Sequence, residues 1–111
     1  MEIKNEKERK SKKIHSQKGL VSIIIPVYNG ESRLDELIES LVNQTYKKIE
    51  IITVDNNSTD NSRDVLEVLS KEKTPLRIFS NKRNEGYCGG CNRGIENADG
   101  EFLLFLSQDR I

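Results

Sequence analysis

The sequence predicts an α/β protein built on a mostly parallel sheet, with helices on both faces, three strand–helix units and a fourth strand. Three observations carry that expectation. Short apolar runs alternate with amphipathic helical stretches three times, and every connection between them is short. The runs are rich in β-branched residues and almost wholly apolar, as strands covered on both faces are. Each run also ends in polar residues. Pro26–Asn29, Asp55–Asn56, Asn81–Asn84 and Ser107–Asp109 would therefore reach one edge, the carboxyl edge where ligands of open parallel sheets bind.

The first strand is the run Val21 to Val27, preceded by a folded boundary near Gly19. Pro26 cannot donate to a ladder, so it belongs at the strand's end or at an irregularity. Tyr28-Asn29-Gly30 turns the chain. Ser32 and Asp35 approximate a capping box that opens the first helix. Leu34, Leu37, Ile38, Leu41 and Val42 make one apolar stripe, which Asn43-Gln44 terminates.

Ile49 to Val54 is the second strand and ends at Asp55. Asn56-Asn57-Ser58-Thr59-Asp60 is dense in turn and cap formers, and Asp60 fits a capping role. A second helix follows to about Lys71, with Val65, Leu66 and Leu69 inward. Pro75 to Phe79 is a shorter third strand. A hydrogen-bonding loop, Asn81 to Gly86, leads into a third helix from about Cys88 to Asn97. The closing strand, Phe102 to Leu106, is five apolar residues bounded by Gly100 and polar residues. It is expected to be buried on both faces and to deliver the carboxylate of Asp109 past its end.

Composition narrows the function classes. The 111 residues hold 18 basic and 18 acidic side chains, with 34% hydrophobic and 32% charged. Residues 1–18 carry seven Lys or Arg against three Glu, a net of +4, which leaves 19–111 at −4. A basic tail on a mildly acidic body argues against nucleic acid as a partner. The tail contains no apolar run, so it reads as a solvated leader preceding a domain at 19–111. Loose attraction to an anionic membrane face is the alternative use for it. With no signal peptide, the expected location is the cytoplasm, with peripheral contact at the inner membrane face if the tail is used.

Cys88 and Cys91 stand in C-x-x-C spacing. Zinc would need a second pair of ligands, and His15, the single histidine, is remote. The flanking Gly86-Tyr-Cys-Gly-Gly-Cys-Asn92 favours small residues packing a helix against the sheet over a redox pair.

Taken in register, five stretches carry a resemblance. They are Val21-Ser-Ile-Ile-Ile-Pro-Val-Tyr-Asn29, Asn43-Gln-Thr-Tyr46, Ile51-Ile-Thr-Val-Asp-Asn-Asn-Ser-Thr-Asp60, Asn84-Glu-Gly-Tyr-Cys-Gly-Gly-Cys-Asn92 and Ala98-Asp-Gly-Glu-Phe-Leu-Leu-Phe-Leu106. Together they resemble the N-terminal half of family 2 inverting glycosyltransferases of the Rossmann-like GT-A fold, with the fourth stretch closest to a rhamnosyltransferase-type branch. The resemblance implies a nucleotide-diphosphate sugar as donor and a glycan, lipid-linked or protein acceptor. It assigns nucleotide-sugar contacts to Pro26, Tyr28, Asn29, Asp55, Asn84, Gly86 and Asn92. A glycine-rich loop entering a helix suits a diphosphate.

The family's acidic metal motif, often Asp-x-Asp, reads Ser107-Gln108-Asp109 here. That leaves Asp109 to bind Mg²⁺ or Mn²⁺, and these ions often use only one or two carboxylates plus substrate oxygens. Asn56 likewise stands where many relatives have a second acid. The resemblance also places the general base and acceptor pocket in a C-terminal half beyond residue 111, so the chain is expected to be truncated. No residue here is assigned the base. An incomplete sheet would expose apolar surface near Phe102–Leu106, which offers a second reading: a partner that needs a second chain, or a dimer, to cover that edge.

Overall fold

The computed structural model describes residues 16–72 and 76–108. In chain order the elements are β1 (Gln17–Val27), α1 (Glu31–Val42), β2 (Ile49–Asp55), α2 (Ser62–Glu72), β3 (Leu76–Ser80), α3 (Gly86–Asn97) and β4 (Gly100–Phe105). The strands form one sheet in the order β3-β2-β1-β4, with every neighbouring pair parallel. The α/β architecture read from the sequence is therefore the observed one. Leader residues 1–15 and Pro75 lie outside the described residues, and β1 begins at Gln17, two residues before Gly19.

Alternation along β1 builds both layers. Ile23, Ile25 and Val27 face the side covered by Leu34, Leu37, Ile38 and Leu41 of α1 and by Leu66 and Leu69 of α2. Ile24 faces the other way, with Ile52 and Val54 of β2, against Ile95 of α3 and the following Ala98. Leu34, Leu37 and Ile38 are fully buried, and truncating one such leucine to alanine costs about 2–5 kcal/mol. On the α3 side, small residues allow close approach. A methyl group on Gly94 would stand 2.4 Å from Ile24 Cγ2, and one on Gly90 would stand 2.6 Å from Pro26 Cβ. Cys91 is buried in this seam, and burial pushes its thiol pKa up. That favours the packing reading of the Cys88–Cys91 stretch, since a reactive cysteine needs its thiolate.

Pro26 is tolerated in a central strand because of where β4 ends. The last main-chain bond between β1 and β4 runs from Leu106 N–H to Ile24 O, at 3.0 Å. Pro26 points its nitrogen to the β4 side, one position past that bond, so its missing N–H interrupts neither the β1–β2 ladder nor the β1–β4 bonds before it.

Two expectations are corrected. β4 is an edge strand rather than one buried on both faces. Phe102, Leu104 and Phe105 are 56%, 45% and 38% exposed. The crossovers explain this: α1 and α2 span β1 to β2 and β2 to β3, while α3 lies over β1 and β2 on the opposite face. No described helix covers the face of β4 that carries Phe102 and Leu104. The apolar exposure expected near Phe102–Leu106 is present.

The capping box is also absent. α1 starts at Glu31, after Gly30, with no side-chain cap of its own. Its first donors are met by the next loop: Gly30 N–H donates to Ser62 Oγ at 2.8 Å, and Glu31 N–H to Asp60 Oδ2 at 3.3 Å. Asp60 Oδ1 accepts from the amide and hydroxyl of Ser62, at 2.8 and 2.6 Å. One carboxylate thus ties the N-termini of α1 and α2 together.

At the opposite edge a buried carboxylate anchors the return to β4. Glu50, 7% exposed, accepts from Ser22 Oγ at 2.6 Å, Asp99 N–H at 2.6 Å and Arg77 Nη1 at 3.0 Å. A buried carboxylate needs this many donors to offset its lost hydration.

The Asp60 tie has a pH signature. Burial alone would raise its pKa, but the bonds from Ser62 and Glu31 outweigh that and hold it below the ordinary 3.8. Its contribution is therefore complete above that value and is lost as pH falls through the lower folded-state value. Asp60→Asn is expected to lower the thermal midpoint at pH 7 and to flatten the acid limb of an unfolding-versus-pH curve below pH 3.8. Equal acid limbs for variant and parent would contradict the tie.

Candidate nucleotide cleft at the carboxyl edge

The strand ends meet as the parallel register requires. Val27 is opposite Asp55, and Asp55 is opposite Ser80. Past these residues lies an open cleft of about 200 Å³, walled by Pro26, Tyr28, Asn56, Asn84, Gly86, Tyr87, Ser107 and Gln108. The volume is below the ~300–1,000 Å³ of complete small-molecule sites. The walls mix two exposed phenol rings, Tyr28 and Tyr87, with amide and hydroxyl groups. Phenol rings offer apolar faces to a planar base, and the amides offer in-plane donors and acceptors.

Of the residues assigned from the sequence, four are brought together around this cleft: Pro26, Tyr28, Asn84 and Gly86. Asn84 Oδ1 accepts the Gly86 amide at 2.8 Å and shapes the entry to α3. Gly86 has φ +76°, a left-handed conformation that glycine adopts without strain, and its Cα side faces open space. Asn92 is half-buried, nearly two turns beyond Gly86 along α3, and does not wall the cleft.

Asn29 and Asp55 are turned to other work. Asn29, at φ 50°, accepts from Thr59 N–H at 2.8 Å and Asp60 N–H at 3.3 Å through Oδ1. It locks the β1–α1 turn to the β2–α2 loop. Asp55 is 4% exposed, and its carboxylate accepts from the Ser58 hydroxyl and, at 3.4 Å, from the Ser58 amide. Those bonds make a turn within its own loop. Asp109 lies outside the described residues, and among the described residues no group of three His, Cys, Asp or Glu gathers in a metal-holding cluster. The polar atoms around the cleft are oxygens and amide nitrogens, and such oxygens suit Mg²⁺ or Mn²⁺ better than a soft ion.

Several contributors escape a reading of motifs. Asn56, 2% exposed, donates from Nδ2 to Gly86 O at 3.0 Å and accepts from Asn81 Nδ2 at 2.7 Å. This relay of neutral amides joins the ends of β2 and β3 to the first turn of α3. A carboxylate at 56 could not make the bond to Gly86 O, so the missing acid is a different bonding pattern rather than a bare loss. Gln108 faces Tyr28 across the cleft, donating from Nε2 to Tyr28 O at 2.7 Å and accepting from Tyr28 N–H at 2.9 Å. Tyr87, next to Gly86, has its hydroxyl pKa raised, by burial first and then by the neighbouring Cys91. Helical phase could have placed Tyr87 beside Gly86. Nothing in the spacing predicts the Gln108 contact.

Comparison with known proteins agrees with this geometry. A 90-residue stretch is 38% identical to a glycosyltransferase of Haemophilus influenzae, covering 81% of this chain and 36% of that protein. A Campylobacter jejuni protein named GalNAc(5)-diNAcBac-PP-undecaprenol beta-1,3-glucosyltransferase is 37% identical over 80% of this chain and 29% of its own length. The chain thus spans little more than a third of these relatives at most. Among solved structures, S. aureus TarS residues 1–349 in complex with UDP superposes with a TM-score of 0.73 at 33% identity, covering 80% of this chain and 27% of that one. A Pyrobaculum calidifontis mannosyltransferase in complex with GDP-Man and Mn²⁺ shares the fold, with a TM-score of 0.75 at 24% identity. The model of glycosyl transferase family 2 matches residues 22–111, and the chain belongs to that family.

Proposed function

We propose that this chain is the donor-binding part of a glycosyltransferase that takes a sugar from a nucleoside diphosphate and passes it to an acceptor. The observation that carries the reading is the cleft at the ends of β1, β2 and β4, where Tyr28, Asn56, Asn84, Tyr87 and Ser107 converge beside the start of α3. Two phenol rings and the exposed Asn84 amide can hold a base. The first turn of α3, past the Gly86 amide that Asn84 takes, favours the negative charge of a diphosphate. The family membership and the UDP and UDP-GlcNAc complexes of TarS support the same ligand class.

A divalent ion on Asp109, shared with the diphosphate oxygens, would neutralise charge on the leaving nucleotide. The Mn²⁺ named for the mannosyltransferase supports that assignment. Ser107 and Gln108, the two described residues that precede that position, both stand in the cleft wall. The Asn84 to Asn92 stretch supports a rhamnosyltransferase-type branch within the family. The acceptor would be a glycan, lipid-linked or protein group, and the poly(ribitol-phosphate) and undecaprenol names among the relatives favour work at a cytoplasmic membrane face.

Calorimetric titration of the folded chain with UDP and with GDP should give saturable binding with Kd below about 1 mM. Mn²⁺ should tighten the binding, and Asp109→Ala should remove the metal's effect. A folded chain giving no heat at millimolar nucleotide would contradict the reading.

A second reading rests on a separate observation, the exposed Phe102, Leu104 and Phe105 on the open edge strand. An apolar edge of this kind pairs readily with another strand. In that reading the chain is an assembly partner whose sheet is completed by a second copy or another chain. Sedimentation at micromolar concentration should then show a dimer that Leu104→Lys dissociates. A clean monomer would count against it.

A further inference from the structure

We infer that Gln108 is a positioning residue that sets the width of the nucleotide cleft by holding the main chain of Tyr28. The inference rests on the nucleotide-binding reading above and adds a residue to it. Main-chain pairing between β1 and β4 stops at Ile24 and Leu106, whereas β1 runs on to Val27 with β2 alone beside it. Beyond that point Tyr28 and Ser107 both line the cleft, past the end of the β1–β4 ladder.

The Gln108 carboxamide fills the gap. Its Nε2 donates to Tyr28 O at 2.7 Å, and its Oε1 accepts from Tyr28 N–H at 2.9 Å. One planar amide thus matches both main-chain groups of one residue, as the next rung of a strand ladder would. No aliphatic or purely acidic side chain offers that pair.

The seat for this amide is independently visible. A methyl group on Gly30 would lie 2.5 Å from Gln108 Oε1 and 3.0 Å from Cδ, so the turn after β1 keeps the space Gln108 occupies. Gly30 has φ −107°, a conformation open to any residue, so backbone geometry does not explain a glycine there. Since Tyr28 and Gln108 both wall the cleft, the clamp fixes how far the Tyr28 ring stands from the Ser107 side. A ligand that must touch both walls depends on that spacing.

The test uses the 111-residue chain. Gln108→Met keeps the length but removes both bonds. Gln108→Asn keeps the amide but falls one methylene short. Gly30→Ala displaces the amide from the other side and leaves Gln108 itself intact. Each variant should bind UDP in the presence of Mn²⁺ about tenfold more weakly than the parent, the scale expected for losing two solvent-accessible hydrogen bonds. The thermal midpoint should stay within a few degrees. The Tyr28 amide should exchange with deuterium faster in all three. If the parent binds UDP and Gln108→Met binds equally well, the clamp is overturned while the nucleotide reading stands. If the parent does not bind UDP, both fall.

Discussion

Parallel pairing of β1 on both of its edges is the constraint on which everything else depends. It aligns Val27 with Asp55 and brings Leu106 alongside Ile24, so three loops must open at the same edge. It also sends Ile23, Ile25 and Val27 to one layer and Ile24 to the other. A shift of one residue would exchange the two layers and move every cleft residue. The close seating of Gly90 on Pro26 and of Gly94 on Ile24 fixes α3 against this strand, so the helix start is held by the core.

At the carboxyl edge, most polar side chains serve the loops before they can serve a ligand. Asn29 and Asp60 interlock the first two turns, Asp55 closes its own turn with Ser58, and Asn56 and Asn81 relay to Gly86. These bonds run from exposed, at Asn29 and Asp60, to buried, between Asn81 and Asn56, and polar groups at the buried end must be paired within the protein. The cost of leaving them unpaired exceeds the gain from a single ligand contact. What remains open to solvent is therefore a smaller set: the phenol rings of Tyr28 and Tyr87, the exposed Asn84, and the flank of Ser107. Pre-ordered walls of this kind lose less entropy when a ligand arrives.

Much of this was legible in the sequence because local period and burial agree. The stripe from Leu34 to Val42 has one helical solution, and the apolar runs of β1 and β2 have one strand solution. The edge position of β4 was legible only through the resemblance, which implied an incomplete sheet, and not from the run itself. Phe102 to Leu106 reads as a buried strand, and only the crossover paths reveal that no described helix covers Phe102 and Leu104. The start of α1 failed for a similar reason: Ser32 suggests a local cap, but Asp60 and Ser62 supply it from 29 to 32 residues away. In the cleft, Tyr28 and Asn84 lie at the strand ends, where the sequence placed them, with Gly86 beside them. The bonds of Asn29 to the Thr59–Asp60 loop, the burial of Asp55, and the reach of Gln108 across 80 positions depend on contacts that no spacing encodes.

The central claim is that the strand-end cleft is where a nucleotide binds. Mapping amide shifts of the ¹⁵N-labelled chain during a UDP titration tests it most directly. The account predicts that the largest changes cluster at Tyr28, Asn56, Gly86, Tyr87 and Gln108, with α2 and the Glu50 end of the sheet left still. Changes centred on α1 and α2, or on the exposed face of β4, would contradict it.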